Sequence, residues 1–168
     1  MIYSGSPTLD YFSGKPKKLK ISLNDVVTLD DIIKELANTN DVVVATANVV
    51  NRLAETGANY ARYICPKDTY ELAGSITSET RVSGTKVTGT ITAGSDHAAY
   101  VEFGVGVVGQ GTYPGDDSGW QYNVPSEFKD ETGGWWWNNT YTHGNVANPF
   151  MYNTAKYIEE HSKEILKK

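Results

Sequence analysis

The chain has 168 residues and a single cysteine, Cys65, which rules out an internal disulfide framework and any zinc site built on several thiolates. Histidine is scarce as well. His97, His143 and His161 lie far apart, and no pair has the spacing of zinc ligands. No stretch approaches the ~18 continuous apolar residues that a membrane crossing requires. The opening, "MIYSGSPTLDYFSGKPKKLK", lacks the apolar centre of a secretory signal. The expectation is therefore a chain made in a cytoplasm that stays in solution. Positive charge is also in deficit: 15 Lys and Arg stand against 20 Asp and Glu, a net charge of −5. Such a surface repels a phosphate backbone unless its basic groups are segregated on one face.

What is present suits one domain with its own core. A hydrophobic content of 39% is well above that of disordered chains. The aromatic residues are unevenly spread, with all four tryptophans between Trp120 and Trp137.

Residues 1–27 are polar, punctuated by Gly and Pro, and carry Lys15, Lys17, Lys18 and Lys20. They read as an N-terminal arm, either solvated or docked on an acidic neighbour. Thr28, Asp30 and Asp31 suggest the capped start of a short helix ending near Ala37. Residues 28–168 then form a single α+β domain.

The strongest pattern follows. Val43, Ala47, Val50, Ala54, Gly57, Ala61 and Ile64 recur in steps of four and three, with polar residues opposite. This predicts one amphipathic helix over 41–64, ended by Pro66. From Ser75 the period becomes two. Ile76, Ser78, Thr80 and Val82 share one face, and Val87, Gly89, Ile91 and Ala93 share another beyond a turn at Ser83–Gly84. That predicts a β-hairpin. Ala99–Phe103 reads as a third extended piece whose start could be a helical turn. Residues 104–147 have no clean period and form a long loop insertion. Asn148 as N-cap and Pro149 at the first helical position open a C-terminal helix with Met151, Ala155, Ile158 and Ile165 on its seam. The expected fold is α+β: an antiparallel sheet of three to four or more strands packed against a long helix and a C-terminal helix.

Several segments invite a chemical reading. Gly104, Gly106 and Gly109 have the G-x-G-x-x-G spacing of dinucleotide-binding loops. That motif needs a helix opening at the last glycine, and Pro114 with the glycines around it prevents one. A flexible exit from the sheet is expected instead. An extended "AYVEF" would put Val101 and Phe103 toward the core, with Tyr100 and Glu102 opposite. Glu102 has no partner acid, histidine or metal set at suggestive spacing. It reads as a hydrogen-bonded or ion-paired glutamate at an inter-subunit surface, with catalysis the lesser alternative. Cys65, at a helix C-terminus, reads as a small hydrophobe. No cofactor and no enzymatic activity are expected.

"GGWWWNNTYTHGN", residues 133–145, cannot turn three adjacent tryptophans to one core. Tyr113, Trp120, Trp135, Trp136, Trp137 and Tyr141 are the candidates for contact with a partner or another subunit. Two alternatives remain for the run: stacking on sugar rings, or a hairpin folded back on its own sheet.

Three motifs in order resemble the head–tail joining (tail-completion, or neck) family of long-tailed bacteriophages. "CPKDTYELAGSI" is similar to Ala-Pro-x-Asp-Thr-Gly-x-Leu-x-x-Ser-Ile. It matches at Pro66, Asp68, Thr69, Leu72, Ser75 and Ile76, and departs at Cys65 and Tyr70. "AAYVEFGV" resembles Tyr-Ala-x-Tyr-Val-Glu-Phe-Gly-Thr through Val101, Glu102, Phe103 and Gly104, with Val105 in place of Thr. "NPFMYNTA" resembles Gln-Pro-Phe-x-x-x-Ala through Pro149, Phe150 and Ala155. The resemblance covers about residue 42 to the end, apart from the long loop.

It implies a non-enzymatic virion protein at the head–tail junction, assembled in the host cytoplasm. Such a protein forms a ring, commonly sixfold, between the head connector or stopper and the tail tube or tail terminator. Copies of itself are then partners, and genomic DNA passes through the lumen without specific binding. A small-residue helical column and a sheet edge suit pairing with further copies. The isolated chain is expected to be monomeric or weakly associated, with 104–147 mobile until assembly. The alternative is a carbohydrate- or receptor-binding tail module using the tryptophan-rich loop.

Overall fold

The computed structural model describes residues 19–22, 41–68, 70–116, 120, 126–137 and 139–167. Most of the proposed arm, the predicted helix at 28–37 and motif residue Thr69 lie outside these.

The long helix forms as its periodicity predicts. Helix α1 spans Val42–Ile64, and Asp41 caps it: Oδ1 accepts from the amides of Val43 at 2.7 Å and Val44 at 3.3 Å. That cap offsets the weak helix propensity of the valine run Val42–Val44. The buried face is Ala45, Val49, Val50, Leu53, Ala54, Gly57, Ala58 and Ala61. The column is small-sided because two layers meet there. A Cβ on Gly57 would fall 2.4 Å from Ile158 Cδ1 and 2.5 Å from Ile91 Cδ1. At the other end Cys65 takes extended backbone and Pro66 follows. The Arg62 guanidinium donates to the Ile76 carbonyl at 2.7 and 3.1 Å, tying the helix end to the sheet.

A single turn of helix, α2 (Glu71–Ser75), leads into the predicted hairpin. Strands β2 (Ile76–Ser83) and β3 (Lys86–Ala93) pair antiparallel, from Ile76 opposite Ala93 to Ser83 opposite Lys86. Ile76, Gly89, Ile91 and Ala93 are buried, whereas the distal end of β2 is exposed, Val82 included. The sheet gains its third strand from an unexpected place. Leu19–Ser22, read from sequence as part of a solvated arm, forms strand β1 against β3, in the order β1-β3-β2. Leu19 and Ile21 enter the core while Lys20 stays outside. Two apolar positions are too few to register as a period.

Residues Ala98–Phe103 are a second difference: they form helix α3, not a strand. The turn before them nucleates it, with the Ser95 carbonyl accepting from Ala98 N and the His97 carbonyl from Val101 N. Small Ala98 and Ala99 are both buried. The expected alternation of Val101 and Phe103 against Tyr100 and Glu102 is therefore replaced by a helical face that buries Glu102 and Phe103 together.

The 104–147 insertion holds a one-turn helix, α4 (Gly106–Gly109), and a 3-10 turn at Ser126–Phe128. It also holds a two-stranded sheet of β4 (Trp135–Trp137) and β5 (Thr140–Thr142). Among the described residues this sheet is separate from the main one: the tryptophan run forms a hairpin strand, as the structural alternative expected, but does not join the main sheet. The C-terminal helix α5 covers Phe150–Ile165, one residue later than predicted, with Pro149 at the cap position. It buries Phe150, Met151, Thr154, Ala155, Ile158 and Ile165 against α1 and β1. The architecture is α+β: a three-stranded antiparallel sheet and a second two-stranded sheet, packed with a long helix and a C-terminal helix.

Candidate functional site

The second and third motifs meet at one buried carboxylate. Glu102 is fully buried; its Oε2 accepts from Met151 N at 2.8 Å and its Oε1 from Tyr152 N at 2.9 Å. The Tyr113 hydroxyl donates to Oε1 at 3.4 Å. The first amides of α5 have no intrahelical acceptors, so an anion there is favoured by both hydrogen bonding and the helix dipole. Asn148 was the expected cap, but α5 has no side-chain cap bond from its own flank. Glu102 supplies that function from 49 residues upstream. This corrects its reading as a glutamate at an inter-subunit surface: the contacts shown lie inside one protomer.

The three glycines next to Glu102 pack closely against neighbouring backbone. Gly104 and Gly106 have φ of 79° and 70°. A Cβ on Gly106 would lie 2.3 Å from the His143 carbonyl, and one on Gly109 would lie 2.9 Å from the Asn145 carbonyl. Val105 and Asn145 exchange both backbone hydrogen bonds at 3.0 Å. The glycines let two stretches of backbone touch, and backbone atoms fill the space a phosphate would need. Gly109 also ends α4 instead of opening a helix.

An aromatic cluster closes the corner. Phe103 lies 4.7 Å from the Tyr113 ring and 4.9 Å from the Trp120 ring, centroid to centroid. Trp120 Nε1 donates to the Gly104 carbonyl at 2.9 Å. Tyr113, Trp120 and Trp135 are thus buried in their own protomer, which corrects their assignment as partner-contacting residues. Trp136 is 72% exposed and Tyr141 38%, so the surface part of the prediction rests on these two. Trp137 lies in β4.

The first motif lies on a cleft of about 630 Å³ that borders this corner. Pro66, Asp68 and Leu72 line one side, Tyr100 and Val101 another, and Trp135 and Thr142 of the small sheet complete it. Leu72 and Ile76 are core residues, and Ser75 Oγ donates to the Leu72 carbonyl at 2.8 Å. Tyr70 has φ 60°, a left-handed conformation that most residues avoid. Phe150 and Ala155 of the third motif are buried as well.

Sequence reasoning missed a staple in the small sheet. Asp130 Oδ1 accepts from the Thr132 amide at 2.8 Å and from its hydroxyl at 2.7 Å, and Oδ2 accepts from the Tyr141 hydroxyl. Hydrogen bonds from Tyr141 and then Thr132 hold the Asp130 carboxyl down at about 2, and the same contact raises the Tyr141 phenol. The only advance signal was an Asp two residues before a Thr in a turn-rich stretch. Cys65 is buried, and burial pushes its thiol up. Among the described residues, no three His, Cys, Asp or Glu side chains gather where they could hold a metal ion. No described helix is long and apolar enough to cross a membrane.

Comparison with family models, with curated proteins and with solved structures returned no match.

Proposed function

We propose that the chain is a structural component of a phage neck, assembling as a ring between the head connector and the tail tube. The observation that carries this reading is the ordered set of three motifs, two of which are joined through Glu102. Three structural facts support it. Tyr70 adopts the backbone conformation that the family's glycine would supply. Among the described strands, the order leaves β1 and β2 at the edges of the main sheet, and the distal end of β2 is exposed around Val82. Such an edge suits pairing with a further copy, and ring closure would cover it. Glu102, finally, is committed to capping α5, a structural task. In this reading no step of chemistry is assigned to the chain, and DNA passes it without specific contact.

Labelling intact particles with an antibody to this chain tests the assignment. Label at the head–tail junction is expected. Label confined to the distal tail tip would refute it.

A second reading, a sugar-recognising tail module, is favoured by one observation. Trp136 is exposed and packs edge-on to Tyr141, with centroids 5.6 Å apart. Trp136→Ala separates the two readings. Lost adsorption with normal particles supports the module, and failed assembly supports the neck.

A further inference from the structure

The outer edge of β2 carries a pattern that the Glu102 corner does not involve. In the ladder with β3, Ile76 stands opposite Ala93, and one step beyond it Gly94 N donates to the Ser75 carbonyl at 3.2 Å. Antiparallel ladders alternate hydrogen-bonded and non-hydrogen-bonded pairs. The odd-numbered residues of β2 therefore bond to β3, and the even-numbered ones turn their N–H and C=O outward. Arg62 takes the outward Ile76 carbonyl. Those of Ser78, Thr80 and Val82 meet no backbone partner among the described residues. Such an edge is a template for a further strand.

The side chains along this edge determine which strand fits. Even positions face α1: the Thr80 hydroxyl donates to Asn51 Oδ1 at 3.2 Å. Thr77, Glu79 and Arg81 stand exposed on the other face. Glu79 and Arg81 form an ion pair at 2.7 Å, with side chains 56% and 77% exposed. A pair so open to water contributes little where it stands, so both charges can turn to a partner at small cost. An antiparallel strand centred on Thr80 must bring a positive charge to Glu79 and a negative one to Arg81. Inverted, β2 itself does so. With Thr80 opposite Thr80 of a second copy, Glu79 faces Arg81 and Arg81 faces Glu79. The parity is also right. The outward groups of Thr80 then bond to each other, and those of Ser78 to Val82, while the charges fall at non-hydrogen-bonded pairs, where side chains come closest. Sliding the centre to Glu79 or to Arg81 sets like charges opposite.

We propose that two copies of this chain pair through β2, antiparallel and two-fold symmetric about Thr80, so that their main sheets become continuous. The pair covers an edge that would otherwise invite open-ended association. A two-fold contact closes on itself, so it joins two copies and builds no ring. The inference goes beyond the neck reading and does not depend on it. In a neck, β2 is released from this pair before ring contacts form along the same edge.

Sedimentation equilibrium of the full chain over a range of concentrations tests this, with circular dichroism confirming that each variant is folded. The parent is expected to pass from one-chain to two-chain mass as concentration rises. Glu79→Arg and Arg81→Glu each set like charges opposite at both charged positions, and each is expected to weaken pairing about tenfold or more. Mixing the two variants places Arg opposite Glu at every charged position, and parent-like affinity is expected to return. A parent that stays at one-chain mass throughout would overturn the proposal. So would single variants that pair as tightly as the parent, or a mixture that pairs no better than its components.

Discussion

Glu102 and Met151 are 49 residues apart in sequence, yet a 2.8 Å hydrogen bond joins the carboxylate of one to the amide of the other. Glu102 also accepts the Tyr152 amide and is fully buried, so α3, α5 and the loop bearing Tyr113 depend on one side chain. Removing it leaves one buried and one partly buried amide without these acceptors, and buried groups so orphaned cost about 1–3 kcal/mol each. Glu102→Ala is therefore expected to destabilise the fold by about 3 kcal/mol or more, read by chemical denaturation. Glu102→Gln turns an NH2 group toward an amide donor and is expected to cost about 2 kcal/mol. A Gln variant as stable as the parent would contradict the capping role.

The glycines of the corner should rank by the space around them. Gly106→Ala places a Cβ against the His143 carbonyl at positive φ and is expected to cost about 3 kcal/mol or more. Gly133 has φ 79° but open surroundings, so Gly133→Ala is expected to cost only about 1 kcal/mol. Equal effects in thermal or chemical unfolding would show that backbone packing is not what selects glycine at 106.

Tyr70 tests the left-handed turn of the first motif. It is 67% exposed, so replacing it mainly alters backbone preference. Tyr70→Gly is expected to leave stability within about 1 kcal/mol, relief of strain offsetting the freedom gained by the unfolded chain. Tyr70→Val is expected to destabilise by about 1–2 kcal/mol, since a β-branched residue fits positive φ worst. A stabilising valine would argue for a different backbone there.

The Asp130 staple predicts two titrations of opposite sense. Asp130 is held at about 2, below its ordinary 3.8, so its contribution to the small sheet is complete above pH 4. That contribution is lost as pH falls from about 4 to 2. Tyr141 is raised above its ordinary 10.0, so its donated hydrogen bond is complete below pH 10 and lost on further alkalinisation. Asp130→Asn should bring the Tyr141 titration back toward 10, followed by ultraviolet absorbance or by NMR of the Tyr141 ring. A Tyr141 titration unmoved by Asp130→Asn would contradict the staple.

The parts of this fold that were legible in sequence are those carried by repetition. Helix α1 repeats its apolar step over 23 residues, and the β2–β3 hairpin alternates over two strands of eight. Strand β1 has only Leu19 and Ile21 to bury, too few to show a period among lysines. Helix α3 spans six residues of "AAYVEF", a string that satisfies a strand's alternation equally well. Its true state is decided by the Ser95 turn and by the α5 amides waiting for Glu102, both tertiary facts. The same holds for the candidate site. Motif residues were visible one by one, but the cap spans 49 residues and the glycines face backbone of residues 143–147, about 40 residues onward, contacts that no local pattern encodes. The aromatic residues divided for a similar reason: Trp135 and Trp136 are neighbours in sequence, and strand alternation buries one and exposes the other.

The central proposal, a ring-forming neck subunit, is tested most directly by a cryo-EM map of the neck of particles that carry this chain. The account predicts a closed ring of this fold between connector and tube, with subunits meeting along the β2 edge. A map that resolves the neck without this fold, or that places it only at the far end of the tail, would contradict it.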